Sequence, residues 1–75
     1  LEPGEILDIQ LAAFRTSLES AILHNKRRIV FIHGVGNGKL KHEIRHIIDR
    51  EYSRVNFQDA SFREYGYGAT MAIIG

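Results

Sequence analysis

A segment between positions 31 and 41 combines a histidine, three glycines and two lysines. The histidine ends a short apolar run, the glycines alternate with other residues, and a basic stretch with helical spacing follows. These residues are His33, Gly34, Gly36, Gly38, Lys39 and Lys41. Because glycine has no Cβ and tolerates positive φ, such a backbone can approach a ligand closely and turn its amides outward. At the start of a helix, those amides and the helix dipole favour an anion, so the segment predicts a contact with phosphate.

Two amphipathic helices flank this segment. Apolar residues recur at spacings of three and four from Leu7 to Ile22. They predict a helix of about 20 residues that begins near Pro3 and ends at Asn25. The same spacing predicts a second helix over Gly38–Glu51, with its basic residues on the face opposite the apolar stripe.

Three strands complete an α-β-α-β-β order. The apolar run Arg28–Ile32 is typical of a strand buried on both faces, and Arg54–Gln58 alternates as a half-buried strand does. Ala69–Ile74 reads as a closing strand, after an irregular connection over Asp59–Gly68. A strand that leads through a helix to another strand implies a right-handed crossover. We therefore expect an α/β sandwich, with two helices packed on one face of a small mixed sheet.

Composition limits the classes of function. The chain has 75 residues and no cysteine, so it predicts one small domain with neither disulfides nor a thiolate metal site. No apolar run is long enough to cross a bilayer, and a reducing cytoplasm fits these features. Residues 26–50 hold seven basic and two acidic side chains, which concentrates positive charge around the glycines. Such a concentration favours a polyanionic partner over a merely solvated surface.

Two familiar phosphate-binding motifs do not fit the glycine segment. A P-loop needs four residues between its glycines and a hydroxyl after the lysine, whereas Gly34 is too close to Gly38 and Leu40 replaces the hydroxyl. A dinucleotide fingerprint would need glycine where Lys39 or Lys41 stands, and the chain is too short for a two-halved dinucleotide fold.

The segment from Ile32 to Lys41 resembles the signature of the Smr (small MutS-related) domain. The second glycine-rich stretch, Tyr65–Met71, resembles the turn and closing strand that end this family's fold. Residues 59–70 further resemble the C-terminal Smr-like domain of an uncharacterised group of Bacteroidetes proteins. The resemblance implies a fold similar to the C-terminal domain of translation initiation factor three. It also implies binding of DNA or RNA, and in several members a nicking endonuclease activity with roles in DNA repair or RNA processing.

The family's first functional motif, Asp-x-His on an early strand, is not matched. Asp8 is followed by Gln10 rather than histidine, and it lies in the predicted first helix. We therefore expect residues 1–75 to be a single Smr-like domain excised from a longer protein and lacking the family's first strand. Two loop positions also depart from the family, because Val35 replaces a frequent lysine and Lys41 a common arginine.

The resemblance assigns roles to individual residues. His33 is the candidate for catalysis, since histidine can act as general acid or base near neutral pH, and the alternative is a histidine that orders the loop. Phosphate contacts are expected from the amides of the three glycines and from the side chains of Lys39, Lys41 and Arg45. His42 and His46 share a helix face, but no third ligand is evident, so no metal or other cofactor is predicted.

Three aromatic residues lie in the connection before the last strand. Phe62 is expected in the core. Tyr65 and Tyr67 are spaced by glycines, and they either stack on unpaired bases or pack structurally.

Two functions stay open at this point. The first is a nucleic-acid-binding domain that, without the first motif, binds but cleaves inefficiently. The alternative is a non-catalytic module that docks a protein partner or self-associates, because a sheet without its first strand leaves an open edge.

Overall fold

The first helix forms where the periodicity places it. The computed structural model describes residues 2–75. Helix α1 spans Pro3–Leu23, with proline in its first turn, where no amide partner is needed. It ends in a Schellman motif, in which the amides of Asn25 and Lys26 donate to the carbonyls of Ile22 and Ala21. Asn25 takes a φ of 56° there, so the predicted asparagine stop is confirmed.

Strand β1 covers Arg28–Ile32, and helix α2 covers Lys39–Glu51. Strand β2 covers Asn56–Asp59, a short helix α3 covers Phe62–Tyr65, and strand β3 covers Ala69–Ile73. The predicted second helix and three strands are therefore confirmed to within two residues at each end. Helix α3 lies inside the connection that the sequence predicts to be irregular. No helix within residues 2–75 has the length and apolar character that a membrane span requires.

The sheet differs from the expected mixed sheet. Its order is β1-β3-β2, and β3 pairs antiparallel with both neighbours. The crossover through α2 does make β1 and β2 parallel to each other, but β3 inserts between them and removes any parallel pair. The register aligns Phe31 of β1 and Asp59 of β2 with Thr70 at the centre. Residues from the three strands therefore share one face at the end where the glycine segment begins.

Both long helices cover that same face. Phe14 of α1 meets Phe31 of β1 edge to face, with ring centroids 4.7 Å apart. Other core positions are filled mainly by α1, α2 and β3, and they include Leu18, Ile44, Ile47, Ile48 and Ala72. Arg15 of α1 also donates hydrogen bonds to both carboxylate oxygens of Glu51, at the end of α2. These bonds lower the pKa of the Glu51 carboxyl.

The opposite face of the sheet is not covered by either long helix. Val30 of β1 is therefore only half-buried, and Ile32 is 75% exposed. The expectation that β1 is buried on both faces is wrong for this reason. The expectation that Phe62 lies in the core is also wrong, because Phe62 on the short helix α3 is 60% exposed.

Candidate functional site

The two glycine-rich segments meet at the end of β1. The amides of His33 and Gly34 both donate to the carbonyl of Gly68, at 2.9 and 3.0 Å. A Cβ on Gly68 would lie 3.1 Å from the Cα of Gly34, closer than side-chain carbons normally come to backbone. Glycine at position 68 therefore lets the closing strand approach the loop.

The three glycines of the loop all need left-handed backbone. Their φ angles are 75° at Gly34, 38° at Gly36 and 79° at Gly38. The amides of Gly34 and Gly38 already donate to Gly68 and Val35. The amide of Gly36 makes no hydrogen bond to residues 2–75. Of the three glycine amides expected to contact phosphate, it is therefore the one that is unpaired.

The start of α2 supplies further amides. The side chain of Asn37 accepts a hydrogen bond from the amide of Lys39 at 3.0 Å, which orders the first turn. Within the described chain, the amides of Leu40 and Lys41 make no hydrogen bond to protein. The first turn also holds no acidic residue, so nothing there offsets the positive end of the helix dipole.

A buried hydroxyl lies behind the loop. Thr70 on β3 is 0% exposed, and its Oγ1 lies 2.8 Å from Nε2 of His33. Arg45 donates to the same oxygen from Nε at 3.2 Å and from Nη2 at 2.9 Å. Because both Arg45 groups can only donate, they occupy the acceptor capacity of the hydroxyl, and its proton points at His33.

This network assigns the tautomer of His33. Nε2 accepts from Thr70, so the ring proton lies on Nδ1, which donates to the carbonyl of Gly34 at 2.9 Å. His33 is half-buried, and its ring joins the loop to β3, because Nδ1 contacts Gly34 of the loop and Nε2 contacts Thr70 of β3. In this geometry the imidazole orders the loop.

Arg45 is held from three sides. Besides Thr70, its guanidinium donates to Asp59 at the end of β2 and lies 5.0 Å from the ring centre of Phe57. The Nζ atom of Lys41 lies 3.6 Å from the same Asp59 oxygen. The hydrogen bond from Arg45, followed by the charge of Lys41, lowers the pKa of the Asp59 carboxyl.

A cleft opens on the other side of His33. It has a volume of about 370 Å³ and separates the start of α1, at Pro3 and Leu7, from Asn37 and Lys39. Lys39 is exposed at its rim. The cleft is therefore lined by the ordered histidine, by Leu40 with its unpaired amide and by an exposed cation, Lys39.

Comparison with known proteins identifies the family. The model of the Smr domain family matches residues 7–75. The chain belongs to the Smr family. It is also similar to the crystal structure of the Smr domain of Thermus thermophilus MutS2, with a TM-score of 0.82 and 30% sequence identity. That match covers 92% of this chain and 86% of the other. A comparison with curated proteins finds no match.

In this Smr domain, the structure brings most of the predicted site residues together. His33, Lys41 and Arg45 converge on Thr70 and Asp59, while His33 and Lys39 also border the cleft. The three loop glycines are not among the residues that line it. His42 and His46 stack at 6.1 Å on the exposed face of α2. No group of three or more metal-ligating side chains occurs among residues 2–75.

Sequence reasoning missed two residues of this Smr site. Thr70 carries no local signature, because its partner His33 lies 37 positions away in sequence. Asp59 gives no local signal either, because the cations that it pairs with, Lys41 and Arg45, lie on α2. The register of β3 against both neighbours supplies the missing signal, since it aligns Thr70 with the ends of β1 and β2.

Proposed function

We propose that this Smr domain binds nucleic acid through backbone phosphates at the glycine loop and the start of α2. The observation that carries the proposal is the open N-terminus of α2. The amides of Leu40 and Lys41 are unpaired, and no acid stands in the first turn. A phosphate oxygen is the partner that such amides and the helix dipole favour.

The side chains around this point add to the attraction. The first seven residues of α2 hold three cations and one acid. Lys41 and Arg45 share the carboxylate of Asp59, which leaves an excess of positive charge, and Lys39 extends from the cleft rim. Arg45 is tied to Thr70 and Phe57, so we assign it chiefly to building the site. Lys39 is the cation best placed to meet a phosphate directly.

Salt dependence tests the proposal. Binding of fluorescein-labelled oligonucleotides would be followed by anisotropy between about 50 and 200 mM salt. Removing one phosphate contact reduces the slope of log affinity against log salt by about 0.7 for single strands. We expect Lys39→Ala to lower the affinity and the slope in this way.

Lys26→Ala is the matched control. Lys26 is also exposed, but it lies in the turn before β1, at the opposite end of that strand from His33. The same loss of charge there should leave affinity and slope unchanged. Equal effects of the two variants, or no binding of any oligonucleotide at low salt, would overturn the proposal.

For cleavage, we propose that this chain nicks inefficiently by itself. Both ring nitrogens of His33 are engaged, with Thr70 and with the Gly34 carbonyl, so neither is free to exchange a proton with a substrate in this geometry. A supercoiled-plasmid assay with highly purified protein tests this. Clear nicking that His33→Ala abolishes would contradict it.

The alternative function, protein docking or self-association, is favoured by a different observation. Among residues 2–75, β1 pairs on one side only, and its exposed Ile32 borders a groove of about 290 Å³ between α1 and β1. Sedimentation over a range of protein concentrations tests self-association. A wild-type dimer that becomes monomeric in Ile32→Lys would support this function. A wild-type protein that is monomeric at every concentration would refute self-association.

A further inference from the structure

Two exposed aromatic rings lie against each other beside the site. Phe62 of α3 is 60% exposed and Tyr67 is 75% exposed, yet their ring centroids are only 4.5 Å apart, at an interplanar angle of 48°. The chain therefore keeps two large apolar surfaces together in solvent. Isolated exposed apolar residues need no explanation, whereas a contiguous pair indicates a contact surface.

The backbone holds this pair in place. The amide of Gly66 donates to the carbonyl of Phe62 at 2.8 Å and closes the single turn of α3. Gly66 then takes a φ of 67°, which redirects the chain so that Tyr67 returns against Phe62. The rings are thus ordered before any ligand arrives, which reduces the entropic cost of binding.

The pair also adjoins the proposed phosphate site. Tyr67 directly precedes Gly68, whose carbonyl accepts the amides of His33 and Gly34. One residue therefore separates the aromatic surface from the glycine loop. Because Tyr67 precedes Gly68 and Gly68 contacts the loop, we expect a nucleotide next to a phosphate held at the loop to reach these rings.

We infer that Phe62 and Tyr67 form a stacking platform for an unpaired base, so that the domain prefers single-stranded to double-stranded nucleic acid. This inference rests on the proposed function and names its substrate class. Every base has a π-face that stacks on an aromatic side chain, but paired bases in a duplex do not present it. A stable complex with a protein would bury roughly 800 Å² of this domain's accessible surface. Two rings with the charged neighbours Arg63 and Glu64 provide far less apolar surface than that.

The test separates base contacts from phosphate contacts. Anisotropy would compare oligo(dT) of about 12 nucleotides, an abasic phosphodiester of the same length and charge, and a duplex of that length. We expect oligo(dT) to bind at least about 5-fold more tightly than the abasic strand, the low end of the range for stacking of one base. The duplex should bind no better than the abasic strand.

Variants locate the effect on the platform. Tyr67→Ala should remove the advantage of oligo(dT) and leave the abasic affinity unchanged. Tyr67→Leu keeps an apolar contact with Phe62 but lacks an aromatic face, so it should behave like Tyr67→Ala. Tyr65→Ala is the control, because Tyr65 lies toward Met71 on the other face of the sheet.

The outcomes distinguish the two levels of inference. Equal, salt-sensitive binding of oligo(dT) and the abasic strand would overturn the platform and preserve the phosphate site. Full oligo(dT) affinity in Tyr67→Leu, or an equal loss in Tyr65→Ala, would also overturn it. Binding of neither strand would instead overturn the proposed function.

Discussion

Thr70→Val removes one buried hydroxyl at nearly constant volume, and the structure gives the size of its effect. The hydroxyl donates to His33 and accepts two hydrogen bonds from Arg45. A neutral hydrogen bond contributes about 0.5–1.5 kcal/mol and one to a charged group about 1.5–3 kcal/mol. The two Arg45 donors belong to one guanidinium and share one oxygen, so we count them as a single charged contact, which makes the total about 2–4.5 kcal/mol. Arg45 keeps its bond to Asp59 after the substitution, so we take the lower half of that range, about 2–3 kcal/mol.

Thermal unfolding measures this cost. For a domain of this size, each 1 kcal/mol shifts Tm by about 4–8 °C, so Thr70→Val should lower Tm by at least about 8 °C. Thr70→Ser is the control, because it keeps the hydroxyl and loses one buried methyl group, which costs about 1 kcal/mol. The expected order of stability is therefore wild type, then Thr70→Ser, then Thr70→Val. If Thr70→Val were as stable as Thr70→Ser or more so, packing rather than hydrogen bonding would explain the buried threonine, and the reasoning would be refuted.

The histidine ring supplies a second measurement. Long-range proton–nitrogen correlation spectra in mildly alkaline buffer report which ring nitrogen of His33 carries the proton. We expect the Nδ1–H tautomer in the wild type and in Thr70→Ser, because both keep the donor to Nε2. In Thr70→Val the Gly34 carbonyl still accepts from Nδ1, so the Nδ1–H tautomer should remain the main one, with a larger share of Nε2–H than in the wild type. An unchanged share of Nε2–H in Thr70→Val would show that the Gly34 carbonyl alone sets the tautomer.

Two further predictions concern the surroundings of the loop. Gly68→Ala should destabilise the domain by about 1–3 kcal/mol in urea unfolding, because its Cβ meets the backbone of Gly34 at 3.1 Å. Gly4→Ala in helix α1 is the control, because a Cβ there would have no atom within 4 Å. We expect it to be neutral or to stabilise the domain by up to about 1 kcal/mol. A similar loss of stability in both variants would contradict the steric argument. Asp59→Asn should lower stability near neutral pH, because pairing with Arg45 depresses the folded-state pKa of Asp59 below its ordinary 3.8. That contribution is present above the unfolded value and is lost as pH falls through the depressed pKa, so unfolding curves of Asp59→Asn and the wild type should converge only below about pH 3.8.

Much of the fold could be predicted from local patterns. The apolar spacing of α1 and its asparagine stop, the boundaries of α2 and the positions of the strands all depend on residues close in sequence. Short-range periodicity and capping chemistry are sufficient for such elements. The order of the strands is not a local property, which is why the expected mixed sheet was wrong and β3 lies in the centre.

The candidate site also has features that local sequence predicts and features that it does not. The glycine spacing, His33 and the following lysines mark the loop within one short stretch of sequence, and the left-handed φ angles explain why glycine stands there. The position of Phe62 could not be read from its type, because an apolar residue in a short connection fits the core or the rim equally well. Its exposure depends on where α3 meets the sheet.

The sequence by itself therefore determined the elements, the pattern of glycines and lysines from which a phosphate contact is proposed, and the resemblance to the Smr family. Only the tertiary structure decided which groups contact the two ring nitrogens of His33, that Asp59 pairs with Lys41 and Arg45, and which loop amides stay free. The physical reason is distance along the chain. Propensity and periodicity act over a few residues, whereas this network joins three strands and a helix whose register is fixed by packing of the whole core.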